Sequence, residues 1–482
     1  MMSPDDTPIQ KLAIHTAHAS SAFDKVPPET IVEIFHFCLP TYPLEYRQPD
    51  TTIAPMLLCQ VSSLWRSIAI NTPTLWIYLN HVGYVASEDF LAAQILPKAI
   101  WPIETAFLKW WTANLQSAHA VVHLELDVSK IESRNQSMAG NLFDDEVSFE
   151  RLIRNARGLY LEQTLLVSFW RRSGRFRLDS WNLRSIFIDQ KNMSANLTGG
   201  SQNDLDAIPI RFSNNLKRFI KHGYIFHVPL YPQPQDRIPW AGLTHISIRT
   251  LLVTATEWYT LIRRFFSLQV GEFHTEILYN RYEQTPFDSD TSQSRISLVH
   301  VETLNLCIKE YSLQFNPLHN LTLPNITHLA IYITDTNLDI VGSIVQSCPR
   351  LQDLRLASQY MRLDSPPNIL TGRQWDSVPE LQSLTVDINE VIYDIDLEEA
   401  LRTLGEWINV LSASWLCLED PPASFQRLSF TTFKEGDEIL GIKSEIRAQC
   451  ELLGLPPRVE VDVHRTVDAD WNFSATELRS WM

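Results

Sequence analysis

VETLNLCI (301–308), ITHLAIYI (326–333), LQDLRLAS (351–358) and LQSLTVDI (381–388) share one grammar. Each places an aliphatic residue at its first, fourth and sixth positions, with mostly polar residues between. An alternation of this kind, closed off after a few residues, predicts a short strand with one apolar face. Looser copies occur elsewhere: VVHLELDV from Val121, ARGLYLEQ from Ala156, LRSIFIDQ from Leu183, LKRFIKHG from Leu216, LTHISIRT from Leu243 and FQRLSF from Phe425. The fourth-position anchors are Leu124, Leu159, Ile186, Phe219, Ile246, Leu304, Leu329, Leu354, Leu384 and Leu428. Most successive anchors lie 25 to 35 residues apart. The gap of 58 between Ile246 and Leu304 has room for a degenerate copy around FHTEILYN, from Phe273.

Helix-like stretches separate the strands. DEVSFERLIRNAR (145–157), TATEWYTLIRRFF (254–266), LDIVGSIVQSCPRL (338–351), LEEALRTLGEWINVLSAS (397–414) and GDEILGIKSEIRAQCELLGLPP (436–457) carry helical apolar spacing. Strand followed by helix, repeated, is the pattern of units that bury their apolar faces by stacking. The period resembles that of leucine-rich repeats, which run to roughly 20–29 residues. An α/β domain with unrelated short strands is the other reading of the same residues. Polar insertions at 188–210, 280–296 and 360–374 read as loops that project from one face.

Toward the N-terminus the pattern changes. VPPETIVEIFHFCLP (26–40) predicts a helix entered through Pro27 and Pro28, with Glu29 and Glu33 near the positive end of its dipole. Ile31, Val32, Ile34 and Phe35 form one apolar face, and Pro40 stops the helix. Residues 41–54 read as a loop. PMLLCQVSSLWRSIAINTPTLW (55–76) predicts a second helix carrying Met56, Leu57, Leu58, Val61, Leu64, Trp65 and Ile68, broken at Asn71-Thr72-Pro73. So small a module holds more apolar surface than it can hide, and an apolar surface of that kind marks a partner.

Val-Pro-Pro-Glu-x-Ile-x-x-Ile-Phe, then Val-Ser-x-x-Trp-Arg, then Thr-Pro-x-Leu-Trp resembles the F-box of fungal F-box proteins. Cys348-Pro349-Arg350-Leu351-Gln352-Asp353-Leu354 is similar to the leucine-rich repeats found after F-boxes in that family. The expected fold is therefore α/β: a flexible leader (1–22), an all-helical F-box-like module (23–80) and an irregular leucine-rich-repeat-like solenoid (81–482).

Composition narrows the function classes. The 482 residues are 45% apolar, enough for a large core, and carry a formal net charge of −16. That charge argues against a generic phosphate-backbone binder, so no nucleic-acid partner is expected. The Arg171–Arg177 run is a local basic patch whose simplest reading is a solvated loop. The six cysteines show no C-x-x-C pairing, the N-terminus lacks a basic signal region, and no apolar run reaches 18 residues. A reduced cytoplasmic or nuclear location with no membrane partner is the expectation. Without a secretory signal, sequons such as those at Asn196 and Asn325 carry no weight.

The search for chemistry finds no phosphate-cradling glycine loop, no H-E-x-x-H and no G-x-S-x-G elbow. His15 and His18 fall in the leader, and Asp288 and Asp290 in a polar loop. Asp394, Asp396, Glu398 and Glu399 precede a helix, where acids favour the dipole. No catalytic residue, metal or cofactor is expected.

The resemblance implies the substrate-receptor subunit of an SCF-type cullin–RING ubiquitin ligase. Its N-terminal module would bind a Skp-family adaptor, and through it a cullin, while the repeats hold a target protein. The residues matching the adaptor motif are Pro27, Pro28, Ile31, Ile34, Phe35, Val61, Trp65 and Leu75. Some of these must instead form the module's own core. Target contact is expected from residues between the strand anchors, on the concave face of the solenoid: Glu125, Ser247, Asn305, Arg355 and Thr385. The other readings are an F-box scaffold acting outside ubiquitination, a plain repeat-containing interaction protein, and an enzyme with an unrecognised site.

Overall fold

The computed structural model describes residues 25–39, 51–86, 99–100, 110–111, 113–115, 118, 120–132, 154, 156–162, 182–189, 212–223, 226–227, 238–278, 295–310, 321–333, 344–358, 377–387, 423–432, 437–452, 458–465 and 478. The leader, the Arg171–Arg177 run, the helix expected at 397–414, the acidic cluster before it, and nearly all of the helix at 145–157 and of the three insertions lie outside them.

Helix α1 is Pro28–Cys38, with Pro28 in its first turn and Glu29 beside the dipole's positive end. The second predicted helix is two. Helix α2 (Leu58–Val61) ends at Ser62, whose extended backbone breaks the run. Helix α3 (Ser63–Ile70) starts there because the Ser62 hydroxyl accepts from the Trp65 N–H at 3.1 Å. A serine is the residue to do both, since its short side chain competes for backbone hydrogen bonds. A single 3-10 turn, Pro73–Trp76, follows.

The strands then begin. They are β1 (Tyr78–Ala86), β2 (Ala99–Ile100), β3 (Ala120–Glu132), β4 (Ala156–Glu162), β5 (Ser185–Asp189) and β6 (Arg218–Lys221). Next come β7 (Phe226–His227), β8 (His245–Thr254), β9 (Val270–Leu278), β10 (Ile296–Ser297), β11 (Thr303–Glu310) and β12 (Leu321–Thr322). Last are β13 (His328–Ile333), β14 (Asp353–Ser358), β15 (Ser383–Asp387), β16 (Arg427–Thr432) and β17 (Glu460–Arg465). Helix α4 (Ala255–Ile262) leads from β8 toward β9, and helix α5 (Asp437–Leu452) from β16 toward β17.

One sheet takes thirteen of these strands in chain order, from β1 through β3, β4, β5, β6, β8, β9, β11, β13, β14, β15 and β16 to β17, with β2 beyond β1 and β7 beside β8. Every pairing along that path from β1 to β17 is parallel; only β2 pairs antiparallel. β10 and β12 form a separate parallel pair. Among the described residues the chain is a mixed α/β structure built on a long parallel sheet, with no closed barrel. The expected boundary between residues 80 and 81 falls inside β1, so the helical segment runs straight into the sheet.

The register explains the recurrent motif. Leu79, Val122, Leu159, Ile186, Phe219, Ile246, Gly271, Leu304, Leu329, Leu354, Leu384, Leu428 and Val461 stand side by side across the sheet. Nine of the ten predicted anchors hold their places. Leu124 does not: Val122 takes that position, two residues earlier, on the same face because strand side chains alternate with period two. In β5, β6, β8, β9, β11, β13, β14, β15 and β16 the first motif position lies in the turn before the strand. Leu183, Leu216, Leu243, Leu268, Val301, Ile326, Leu351, Leu381 and Phe425 are all buried there. The polar pair after it continues the backbone ladder, as where Gln352 and Asp353 donate to the Thr327 carbonyl. Each unit such as Leu351, Leu354 and Leu356 thus buries three large side chains. Each contributes about 1.5–3 kcal/mol against the entropy of ordering the strand.

The degenerate copy expected in the long gap is β9. Its anchor position holds Gly271, where an added Cβ would come within 2.9 Å of Phe273 and 3.0 Å of Leu304. The Phe273 ring, stacked on Phe265 at 5.5 Å and edge-on to Trp258 of α4 at 5.9 Å, fills the room an anchor leucine takes elsewhere. Helix α4 is held by a capping box: the Thr254 hydroxyl accepts from the Glu257 N–H, and Glu257 accepts from the Thr254 N–H at 2.6 Å.

Candidate functional site

Two surfaces stand out, and the first is on the N-terminal helices. α1 leans on α3 through Phe35 and Trp65, whose rings lie 4.9 Å apart. Ile31, Phe35, Leu58, Ala69, Leu75 and Trp76 are buried and continuous with the core of the sheet. Trp76 donates to the Ala69 carbonyl at 2.8 Å and meets Trp110 and Trp111 edge-on, and Trp111 donates to the Trp76 carbonyl at 2.9 Å. This tryptophan cluster ties the helices to the start of the sheet.

The eight motif-matching residues therefore separate. Ile31, Phe35 and Leu75 have no surface to offer: Ile31 and Phe35 form the inward face of α1, and Leu75 is buried in the 3-10 turn beside Trp76. Ile34 and Trp65 are half-buried, and Pro27, Pro28 and Val61 are exposed. Phe37 (88% exposed), Leu57 and Leu64 are large apolar side chains left in water that the motif did not single out. Four of the eight exposed large apolar residues among those described, Phe37, Leu57, Val61 and Leu64, fall between residues 37 and 64. Leu57 and Val61, four apart, share one helical face. Excess of apolar over polar residues around the full helical wheel was the signal for them; which ones are exposed depends on where the sheet sits.

The second surface is the sheet face opposite the anchors. Ser247, Asn305, Arg355 and Thr385 fall in one row across it, in register with Glu272 and Ala330. Glu125 stands two residues past that row, which β3 enters at His123; its side chain lies outside the described residues. Asn305, Arg355 and Thr385 span three strand intervals, roughly 15 Å at about 4.8 Å per strand. All three reach solvent.

Ser247 does not. It is fully buried, and its hydroxyl donates to Glu272 Oε2 at 2.5 Å while lying 2.9 Å from His222 Nε2. Because the one hydroxyl proton goes to Glu272, His222 is the donor to Ser247 and carries its hydrogen on Nε2. Arg249 Nε donates to Glu272 Oε1 at 3.0 Å, and His274 Nε2 stands 3.4 Å from the same oxygen. Burial by itself raises the Glu272 carboxyl, yet the His274 hydrogen bond, the Arg249 charge and the Ser247 hydroxyl outweigh it and hold the group below its usual value. Burial, with the neighbouring charges of Arg249, His274 and Lys221, depresses His222 to about 2, so it is neutral. This closed network positions side chains and leaves no nucleophile free. Farther along, the His328 ring bonds Asp353 at 2.9 Å, and the Ser383 hydroxyl donates to Asp353 at 2.5 Å. The bond to Asp353 raises His328, and the bond from His328 lowers Asp353.

Toward β4 the face turns apolar. Tyr160, Phe187 and Ile220 continue the row of Ser247 and are buried with Leu478, apart from the main core. Among the described residues no group of three or more His, Cys, Asp or Glu is placed to hold a metal ion, and no helix is long and apolar enough to cross a membrane.

No family model matches the chain, and no curated protein matches it. Among solved structures, the chain is similar to a crystal structure of a Bacteroides fragilis protein, at 10% identity and a TM-score of 0.30, over 72% of this chain and 88% of that one. A likeness at that level carries no argument.

Proposed function

We propose that this chain is the substrate-receptor subunit of an SCF-type cullin–RING ubiquitin ligase. In this reading residues 23–80 are an F-box that docks on a Skp-family adaptor, and residues 81–482 are a leucine-rich-repeat-like solenoid that holds a target protein. The observation that carries it is the set Phe37, Leu57, Val61 and Leu64: apolar side chains in water, in the segment that bears the F-box-like motif. Leaving them exposed costs solubility unless a partner covers them. The buried residues of the motif hold the helices in shape, and the exposed ones with Pro27, Pro28, Ile34 and Trp65 make the contact. The open row Asn305, Arg355 and Thr385 faces the target. The ligase works by proximity: a tethered target lysine meets the charged ubiquitin-conjugating enzyme at raised effective concentration. No residue of this chain performs chemistry, no cofactor takes part, and the setting is the cytoplasm or nucleus.

A second reading draws on the shared core of the helices and sheet. There the N-terminal helices are the end cap of a repeat scaffold that acts outside ubiquitination. The two differ in one measurement. Co-expression with a Skp-family adaptor yields a stable complex in the first reading. Val61→Asp with Leu64→Asp abolishes it, and Pro28→Ala with Ile34→Ala weakens it, while circular dichroism and thermal unfolding stay close to wild type. Wild-type chain that is folded yet binds no adaptor at micromolar concentration sinks the receptor reading and leaves the cap.

A further inference from the structure

We propose that Arg157, Arg184 and Lys217 form a docking site for an acidic segment of a partner protein. The site does not depend on the adaptor reading.

The three residues stand side by side. Along the rim where the strands begin, one residue of each unit donates its N–H to the carbonyl of its counterpart in the unit before, in a single backbone ladder. The Arg184 N–H reaches the Arg157 carbonyl at 2.8 Å, and the Lys217 N–H reaches the Arg184 carbonyl at 2.8 Å. The ladder continues through Thr244, Gln269 and Glu302 to Gln426, and no cation follows Lys217 on it. The position itself therefore asks for no charge, since threonine and glutamine fill it elsewhere. At about 4.8 Å per strand the three cations span roughly 10 Å. Like charges set side by side on neighbouring strands repel one another.

All three side chains are exposed, and no acidic side chain among the described residues pairs with any of them. Lys217 Nζ donates to the Gly242 carbonyl at 3.2 Å, which uses one of its three hydrogens. Arg218, next to Lys217 and half-buried, adds a fourth cation. Burial, and then the Arg157 charge, hold the Arg218 guanidinium below its usual value. Burial, and then the Arg218 charge, push His245 down to about 4. An anion relieves such crowding, and charge decides which kind. The chain as a whole carries −16, which repels a polyanion as dense as nucleic acid. A short acidic segment meets only the local field, because charges more than about 10 Å away are screened in ~0.1 M salt. Alternate side chains of an extended segment lie roughly 7 Å apart, so two of its carboxylates fall within reach of the three cations. Each arginine fork can hold one carboxylate through two parallel N–H bonds.

The test uses the full chain and a fluorescein-labelled peptide of alternating Glu and Ser, followed by anisotropy in about 20 mM salt. Wild type is expected to bind it, to ignore the matching Gln–Ser peptide, and to bind a single-stranded oligonucleotide of equal charge less tightly. Arg157→Glu with Arg184→Glu is expected to weaken binding at least about tenfold, and salt raised to about 500 mM to weaken wild type as much. Arg350→Glu with Arg447→Glu makes the same change of net charge at exposed arginines elsewhere, and is expected to stay within about twofold of wild type. Circular dichroism checks that each chain folds. Arg157→Gln with Arg184→Gln is the milder pair, with a smaller loss, and it carries the comparison where the charge reversal does not fold. An equal loss in the ladder pair and the distant pair overturns the proposal. So does equal binding of the neutral peptide, tighter binding of the oligonucleotide, or no binding by folded wild type up to about millimolar peptide.

Discussion

The two ends of one sheet face differ in kind. From β4 to β6 the row holds Tyr160, Phe187 and Ile220, buried under Leu478. From β11 to β15 the same row holds Asn305, Arg355 and Thr385, all reaching solvent, with buried Ala330 between them. Backbone, register and spacing are the same at both ends. The difference lies in the side chains and in what a remote part of the chain lays over them. Between the two, the network of His222, Ser247, Glu272, Arg249 and His274 is a polar seam, with His222, Ser247 and Glu272 buried and Arg249 and His274 at its edge. A parallel sheet of this kind offers its second face as a surface, and the sequence chooses, strand by strand, whether to close it.

The apolar end is buried structure, so its loss is costly. Phe187→Ala removes a buried ring and leaves a cavity beside Tyr160 and His222, and is expected to destabilise by ~3–5 kcal/mol in urea unfolding. A value under about 1 kcal/mol would make the patch a loose surface contact. The seam comes next. Glu272→Gln keeps the shape but removes the buried charge that accepts from both Ser247 and Arg249, with an expected loss of ~2–4 kcal/mol by the same measurement.

The seam also sets a pH dependence. Unfolded, His222 takes a proton below about pH 6.5; folded, it does so only near 2. Glu272 is likewise held low when folded, so its contribution is present above the ordinary carboxylate range and lost as pH falls through its folded value. In both cases the unfolded chain binds more protons in acid, so stability falls as pH drops from about 6.5. The half-exposed His328–Asp353 pair at the open end has a mixed sign. Its raised histidine contributes below about pH 6.5 and loses that contribution as pH rises through its folded value. Urea midpoints measured across pH 5 to 7 should therefore fall toward acid in wild type and fall less in His222→Gln. A His328→Gln chain should fall more steeply than wild type.

Gly271→Ala brings a methyl group against Phe273 and Leu304, whose side-chain ends can give way only in part. The expected loss is ~1–3 kcal/mol, although alanine stiffens the unfolded chain. A stabilised variant would mean that the aromatic stack around Phe273 yields. Arg355→Ala, at the open end, is expected to change stability by less than ~0.5 kcal/mol. An effect as large as that of Phe187→Ala would erase the distinction between the two ends.

The anchor positions were legible because they are a local property. Leu304, Leu329, Leu354, Leu384 and Leu428 repeat in an alternating strand pattern, and alternation alone says which side chains share a face. That is why Ser247, Asn305, Arg355 and Thr385 were placed together from the sequence, and why the anchor of β3 was missed by two residues rather than one. Helix α4 was legible for the same reason, through a threonine cap and a glutamate within one turn. Register and burial were not. β9 hid behind Gly271, because the volume its anchor would fill is supplied by Phe273, Phe265 and Trp258 from other positions. The break at Ser62 turns on one residue's backbone, which the periodicity of 55–70 passes over.

Ser247 looked available and is sealed, since its partners Glu272, on β9, and His222, just past the end of β6, each lie 25 residues away in sequence. Leu478 sits among polar and aromatic residues near the end of the chain with no pattern around it, and only the folded chain brings it to Tyr160, Phe187 and Ile220. Periodicity encodes the direction of a side chain because the strand repeats every two residues wherever it lies. What covers that side chain is decided by segments that no local period connects to it.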